Sequence, residues 1–127
     1  MIHKIDIEGH AYVLATLLLT VYGQLVLKWQ MIGVGALPHG TFEKIVFLMR
    51  LLLNPWILSG MVAAFAASLA WMAAMTRLEM SYAYPFMSLA FVLVMTFGVL
   101  FLGEAFSGSK LIGTSLVIAG LVVLARA

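Results

Sequence analysis

The chain has 127 residues, 65% of them hydrophobic and 9% charged, with a formal net charge of +2 and no cysteine. Soluble domains carry roughly 25% charged residues, so the composition implies a single integral membrane domain over residues 1–127. It offers no basic patch for nucleic acid, and without thiols it excludes disulfides and cysteine metal sites.

Met1 to Gly9, with Lys4, Asp6 and Glu8, reads as a polar leader. Its acidic residues, and the lack of a small-residue cleavage site after the first apolar run, argue against a cleavable signal. His10 to Leu27 is uncharged and ends at Lys28, which predicts a first span at about 10–31. Gly33, Gly35, Pro38 and Gly40 then break the helix into a loop. Between Thr41 and Leu53, apolar Phe42, Ile45, Val46, Leu48, Met49 and Leu52 are interleaved with charged Glu43, Lys44 and Arg50. The spacing fits a helix with Thr41 as its N-cap. It is too short to span before Asn54-Pro55, so it reads as an interfacial amphipathic helix at about 41–53. The alternative is an early start of the next span, kinked at Pro55.

The second span, about 55–76, opens on a proline suited to a first helical position. Its small residues, Gly60, Ala63, Ala64, Ala67, Ser68 and Ala74, let a neighbouring helix approach closely in lipid. Arg77 and Glu79 mark its exit. Tyr82 to Leu102 carries no charge. As a helix of about 21 residues it measures ~31 Å, close to a hydrocarbon core of roughly 30 Å. It gives a third span at about 82–103, with Pro85 in its first turn or at a kink. The fourth span, about 109–126, has an uncharged part short enough that Lys110 and Arg126 snorkel. Gly113 and Gly120 lie a heptad apart and offer a packing face. The fold class is therefore all-α integral membrane: four transmembrane helices plus one interfacial amphipathic helix between the first and second.

The polar line of the first helix is the most informative chemical feature. Thr16, Thr20, Gln24 and Lys28 recur every fourth residue and share one face. Glutamine inside a span is costly unless it faces protein, water or ligand. Lys28, near the boundary, suits an anionic head group such as a phosphate. The plainer reading is that Lys28 snorkels and Gln24 bonds a neighbouring helix. Trp71, Tyr82 and Tyr84 are candidate cavity aromatics, against an interfacial aromatic belt. Tyr84 and Ser88, four apart, are expected to share a face turned toward Thr20, Gln24 and Lys28. Glu104 is expected at the membrane edge, satisfied by Lys110 or a backbone N–H. No carboxylate lies within a span, so no proton relay is expected. His3, His10 and His39 lack ligand spacing, and no nucleophile–base pair or phosphate loop appears. An enzyme, a metal and a cofactor are thus not expected.

Two stretches resemble a known group: TVYGQLVLKWQ, from Thr20 to Gln30, and Leu78 to Ala125, which opens LEMSYAYPFMSLAF. Both resemble the drug/metabolite transporter superfamily in its four-helix form. Gly23, Gln24 and Lys28, with the A-Y-P-x-x-S-L run of Ala83, Tyr84, Pro85, Ser88 and Leu89, are most similar to the flippase subunits for aminoarabinose linked to undecaprenyl phosphate. Gly103, Glu104, Ile112 and Gly113 add to that pattern. The small multidrug resistance exporters are similar in the third and fourth helices, but Thr20 stands where they carry an essential glutamate. The resemblance implies a non-enzymatic carrier in a bacterial inner membrane, working as a homodimer or with a similar four-helix subunit. Three readings follow: a translocase for a polyprenyl-phosphate-linked sugar, a small-solute or cation exporter, and a non-transporting accessory subunit of a glycosylation system.

Four spans place both termini on one side. Lys4, Arg77 and Arg126 lie there, and Lys44, Arg50 and Lys110 lie opposite, with Lys28 at the boundary. The positive-inside rule gives almost no preference. Adding two lysines to one terminus is therefore expected to shift the inside-to-outside ratio of a reporter fused at Ala127. An unchanged, one-sided reporter would remove this support for dual topology.

Overall fold

The computed structural model describes residues 6–126; His3, Lys4 and Ala127 lie outside the described residues. All regular structure among the described residues is helical. Four stretches are long and apolar enough to cross a bilayer: Ile7–Ile32, Pro55–Met75, Met80–Phe101 and Gly108–Ala125.

Helix α1 (Ile7–Ile32) starts because Asp6 caps it, its carboxylate accepting from the Gly9 N–H at 2.9 Å. Helix α2 (Thr41–Leu51) begins after Gly40, which takes the extended N-cap conformation, so Thr41 is the first helical residue rather than the cap. No residue of α2 is buried, and Phe42, Ile45, Leu48 and Met49 are exposed. An apolar stripe that nothing in the chain covers belongs in the bilayer interface. A short turn separates α2 from α3 (Pro55–Met75). The Asn54 side chain accepts from the Trp56 N–H at 2.9 Å and Pro55 takes the first turn. The two are therefore distinct helices, and the alternative of one span kinked at Pro55 is not realised.

Helices α1 and α3 form the body of the bundle. They run antiparallel: Gln30 accepts from the Asn54 amide at 2.9 Å near one end, and Gly9 abuts Leu78 near the other. Between these ends the backbones cross at Gly23 and Gly60, where a Cβ on Gly23 would lie 3.1 Å from the Gly60 carbonyl oxygen. Buried Val13, Leu17, Val21 and Val26 of α1 meet Ile57, Ala63, Ala67 and Ala74 of α3. Trp29 and Trp56 pack edge to face at 5.4 Å where the helices enter the first loop.

The third span is not one regular helix. It comprises α4 (Met80–Ala83), a 3-10 turn (Tyr84–Met87) and α5 (Ser88–Phe101). Pro85 has no N–H to donate, and the tighter winding of about three residues per turn accommodates it. The register between Tyr84 and Ser88 is lost. Ser88 instead donates to the Pro85 carbonyl at 2.6 Å, so the shared face expected for Tyr84 and Ser88 is not formed. Helix α6 (Gly108–Ala125) is capped by Ser107, whose hydroxyl accepts from the Lys110 N–H at 3.2 Å. It touches the bundle mainly through α5 and the 3-10 turn. A Cβ on Gly113 or Gly120 would meet nothing within 4 Å. Their expected packing face is therefore unused within the chain, because α6 sits at the edge of the bundle.

Gly23→Val should cost about 1–3 kcal/mol by forcing two backbones apart, whereas Gly113→Ala should stay within about 0.5 kcal/mol. Unfolding of purified protein in detergent reads both. Equal effects would show that the crossing is not tight.

Candidate substrate groove

Beside the glycine crossing lies a cavity of about 440 Å³. That is within the roughly 300–1,000 Å³ of small-ligand sites. Its α1 wall runs from Thr16 through Thr20, Gly23 and Gln24 to Leu27. At about 1.5 Å per residue this is ~16 Å, half of a ~30 Å hydrocarbon core. The groove thus runs along the middle of the α1–α3 pair, with its Gln24–Leu27 end toward the first loop.

The two walls differ in chemistry. Thr16 is buried and spends its hydroxyl on the Tyr12 carbonyl at 2.8 Å. No described residue hydrogen-bonds the side chain of Thr20 or Gln24, and Gln24 is exposed on the open side. The α3 wall is small-residued: Gly60, Ala64, Ala67 and Ser68. Ser68 reads from sequence only as a small packing residue, although it lies three residues before Trp71 and so nearly shares its face. About one turn from the end of α3 the groove ends on Trp71 and Tyr84, packed edge to face at 5.8 Å, with Met72 and Met87. No charged residue lines it. Ala64, Ser68, Met72 and Tyr84 are exposed along one flank, so the groove opens sideways as well as toward the loop.

Of the residues expected to line one cavity, the structure brings together Thr20, Gln24, Trp71 and Tyr84, with Gly60 and Ala67 at the back. Tyr82, Ser88 and Lys28 are elsewhere. Tyr82 belongs to the opposite end of the bundle, where its hydroxyl meets His10 Nε2 at 2.9 Å. His10 Nδ1 lies 2.7 Å from the Asp6 carbonyl, which can only accept. In the neutral ring Nε2 therefore accepts from Tyr82. Arg77 pairs with Asp6 at 3.5 Å and hydrogen-bonds Glu8. Tyr12 donates to Glu8 at 3.2 Å. These contacts tie the start of α1 to the α3–α4 connection and shut that end. His10, read from sequence as a terminal polar residue, is one of its fastenings. Glu79 is the backbone cap of α4 and makes no side-chain hydrogen bond to a described residue.

Lys28 lies one turn beyond Gln24, at the loop-side mouth. It pairs with Glu104 at 3.7 Å. Glu104, not satisfied by Lys110 as expected, is turned inward by its backbone. Gly103 takes a positive φ of 71°, the Glu104 N–H donates to the Gly98 carbonyl at 3.1 Å, and the carboxylate lies over Gly98 where any Cβ would collide. Lys110 is occupied instead with the Ala105 carbonyl.

The model of the EamA-like transporter family matches residues 9–126. The chain belongs to that family. Among curated relatives of this EamA-like protein is the "Probable 4-amino-4-deoxy-L-arabinose-phosphoundecaprenol flippase subunit ArnE" of Aeromonas salmonicida, 32% identical over 84% of this chain and 88% of that one. The ArnF subunit of the same description from Erwinia tasmaniensis is 32% identical over 91% of this chain and 93% of that one. The ArnE subunit from Pseudomonas aeruginosa is 31% identical over 91% and 96%. No solved structure gave a significant match. Four membrane-crossing helices and these bacterial relatives make it a multi-pass inner-membrane protein with a transport role.

Arg77→Gln should strand two carboxylates and cost roughly 0.5–2 kcal/mol, less at high salt. Glu79→Gln should change stability by under about 0.5 kcal/mol. Thermal unfolding in detergent at two salt concentrations checks both; equal losses would mean that Arg77 does not clamp its end.

Proposed function

We propose that the chain is one subunit of a translocase that carries a polyprenyl-phosphate-linked sugar, or a related lipid-linked phosphate, across the inner membrane. The observation that carries this reading is the shape and chemistry of the groove. It is largely apolar and uncharged, with Thr20, Gln24 and Ser68 as polar points on its walls, is open along one flank, and has Lys28 one helical turn beyond Gln24. A sugar is a neutral cluster of hydroxyl groups, suited to Gln24, Thr20 and Ser68. Its polyprenyl chain is too long for the cavity and stays in lipid through the open flank. Its phosphate needs a cation, and Lys28 supplies one within a turn of Gln24. The names of the relatives point the same way. An exporter of cations could use the faces of Trp71 and Tyr84, but no carboxylate among the described residues lines the groove to pair with its cargo. The uncovered face of α6 at Gly113 and Gly120 suits a second four-helix subunit, the same or similar, and leaves the flank open to lipid. In this scheme the protein forms no covalent bond with its cargo.

Two substitutions separate the parts of the substrate. Lys28→Gln should weaken binding of undecaprenyl phosphate to reconstituted protein about tenfold, the low end for a charge-assisted bond because the mouth is wet. Lys28→Arg should retain part of the affinity. Gln24→Leu should leave undecaprenyl phosphate unchanged yet weaken a sugar-bearing analogue by about two- to tenfold. Equal binding of undecaprenyl phosphate and neutral undecaprenol, or wild-type affinity in Lys28→Gln, would overturn the phosphate role.

A further inference from the structure

The loop-side mouth holds an arrangement that transport by Lys28 alone does not require. A carboxylate from just beyond the end of α5 is brought back to Lys28, one turn from the groove residue Gln24. Three backbone features hold it there: the positive φ of Gly103, the Glu104 N–H bond to Gly98, and the bare surface of Gly98 beneath the side chain. The pair itself is loose. Its atoms are 3.7 Å apart, outside hydrogen-bond range, and the side chains of Lys28 and Glu104 are 53% and 38% exposed. The clamp at the other end differs, for Arg77 holds two carboxylates and hydrogen-bonds one of them. An exposed pair of this kind contributes little stability. It is therefore a poor fastening but an easily displaced one, since the backbone anchor lets the carboxylate swing away without moving a helix.

We infer that Glu104 is an internal competitor for the anionic head group at Lys28, so that the mouth yields to an anion and not to a neutral lipid. This rests on the reading of Lys28 as the phosphate contact. A carboxylate and a phosphate ester both accept from the same ammonium. When a phosphate approaches Lys28, like-charge repulsion drives Glu104 off, and the mouth opens as the ligand binds. A neutral polyprenol has no such term and leaves the pair in place. Glu104 thereby sets specificity without contacting the sugar. Gly98 and Gly103 are positioning residues, which explains two glycines whose side-chain space faces no other helix.

The test is binding of undecaprenyl phosphate and of undecaprenol to the full-length protein in lipid nanodiscs. Glu104→Gln keeps the shape and removes the charge. It should bind undecaprenyl phosphate about two- to fivefold more tightly, the range expected for release of an exposed pair. Its affinity for undecaprenol should not change. Glu43→Gln removes a carboxylate from the same side of the membrane without touching Lys28, and should leave both affinities unchanged. In a Lys28→Gln background the Glu104→Gln gain should vanish, because the two effects are coupled through one contact. Glu104→Gln with unchanged or weaker phosphate binding, while Lys28→Gln still loses it, would overturn the competitor and keep the phosphate reading. The same gain in Glu43→Gln would reduce the effect to bulk charge and also overturn it. Equal binding of both lipids by the wild type would overturn the phosphate reading and the competitor together.

Discussion

The contact on which the rest of the molecule depends is the backbone crossing of Gly23 and Gly60. In lipid no hydrophobic force draws two apolar helices together, and close packing has to do that work. Two glycines and a run of alanines on α3 permit the approach. The crossing also fixes the rotation of α1. With Gly23 against α3, Thr20 and Gln24 fall on the adjacent face of α1, beside the crossing, and the groove takes its polar groups on α1 from them. A bulky residue at either glycine would cost the groove as well as the packing. Helices α5 and α6 contribute little to this pair and cover only one side of it, which leaves the open flank.

The two ends of the bundle are closed by different means. Near the chain start, a guanidinium, two carboxylates, an imidazole and a phenol join α1 to the α3–α4 connection. Next to them Trp71 and Tyr84 stop the groove. At the loop side a single long ion pair stands at the mouth. The terminal cluster is made of several contacts, with half-buried Asp6, His10 and Tyr82 beside exposed Glu8 and Arg77, and its ion pairs are of the kind that salt screens.

Much of the fold was legible in the sequence because uncharged runs of bilayer length are hard to read otherwise. Asn54 and Pro55 marked a true helix start, and the charged stripe of α2 marked a surface helix. Gln24 pointed inward because a glutamine facing lipid is costly. What escaped notice depends on long-range contacts or on irregular winding. Pro85 was visible, but a 3-10 turn after it was not, and that turn separates Ser88 from Tyr84. Tyr82 lies two residues from Tyr84 in sequence yet fastens the opposite end, through His10. Lys28 and Glu104 are 76 residues apart, and nothing local ties them; only Gly98 and Gly103 hint that the chain folds back there. Gly113 and Gly120 suggested packing that the single chain does not provide, since a free helix face carries the same signal as a buried one.

The central claim is that a groove carrying Thr20 and Gln24 runs between α1 and α3 and admits water from the loop side. The chain has no cysteine, so any cysteine introduced singly is the only thiol present. Reactivity with a charged, membrane-impermeant maleimide in lipid nanodiscs, compared between Ala64→Cys and Phe65→Cys, tests it most directly. These neighbours are both exposed in the structure, but only Ala64 lines the groove. Water in the groove should make the thiol at 64 react readily, while the thiol at 65, turned to lipid, stays inert. Equal inertness at both positions would contradict the account.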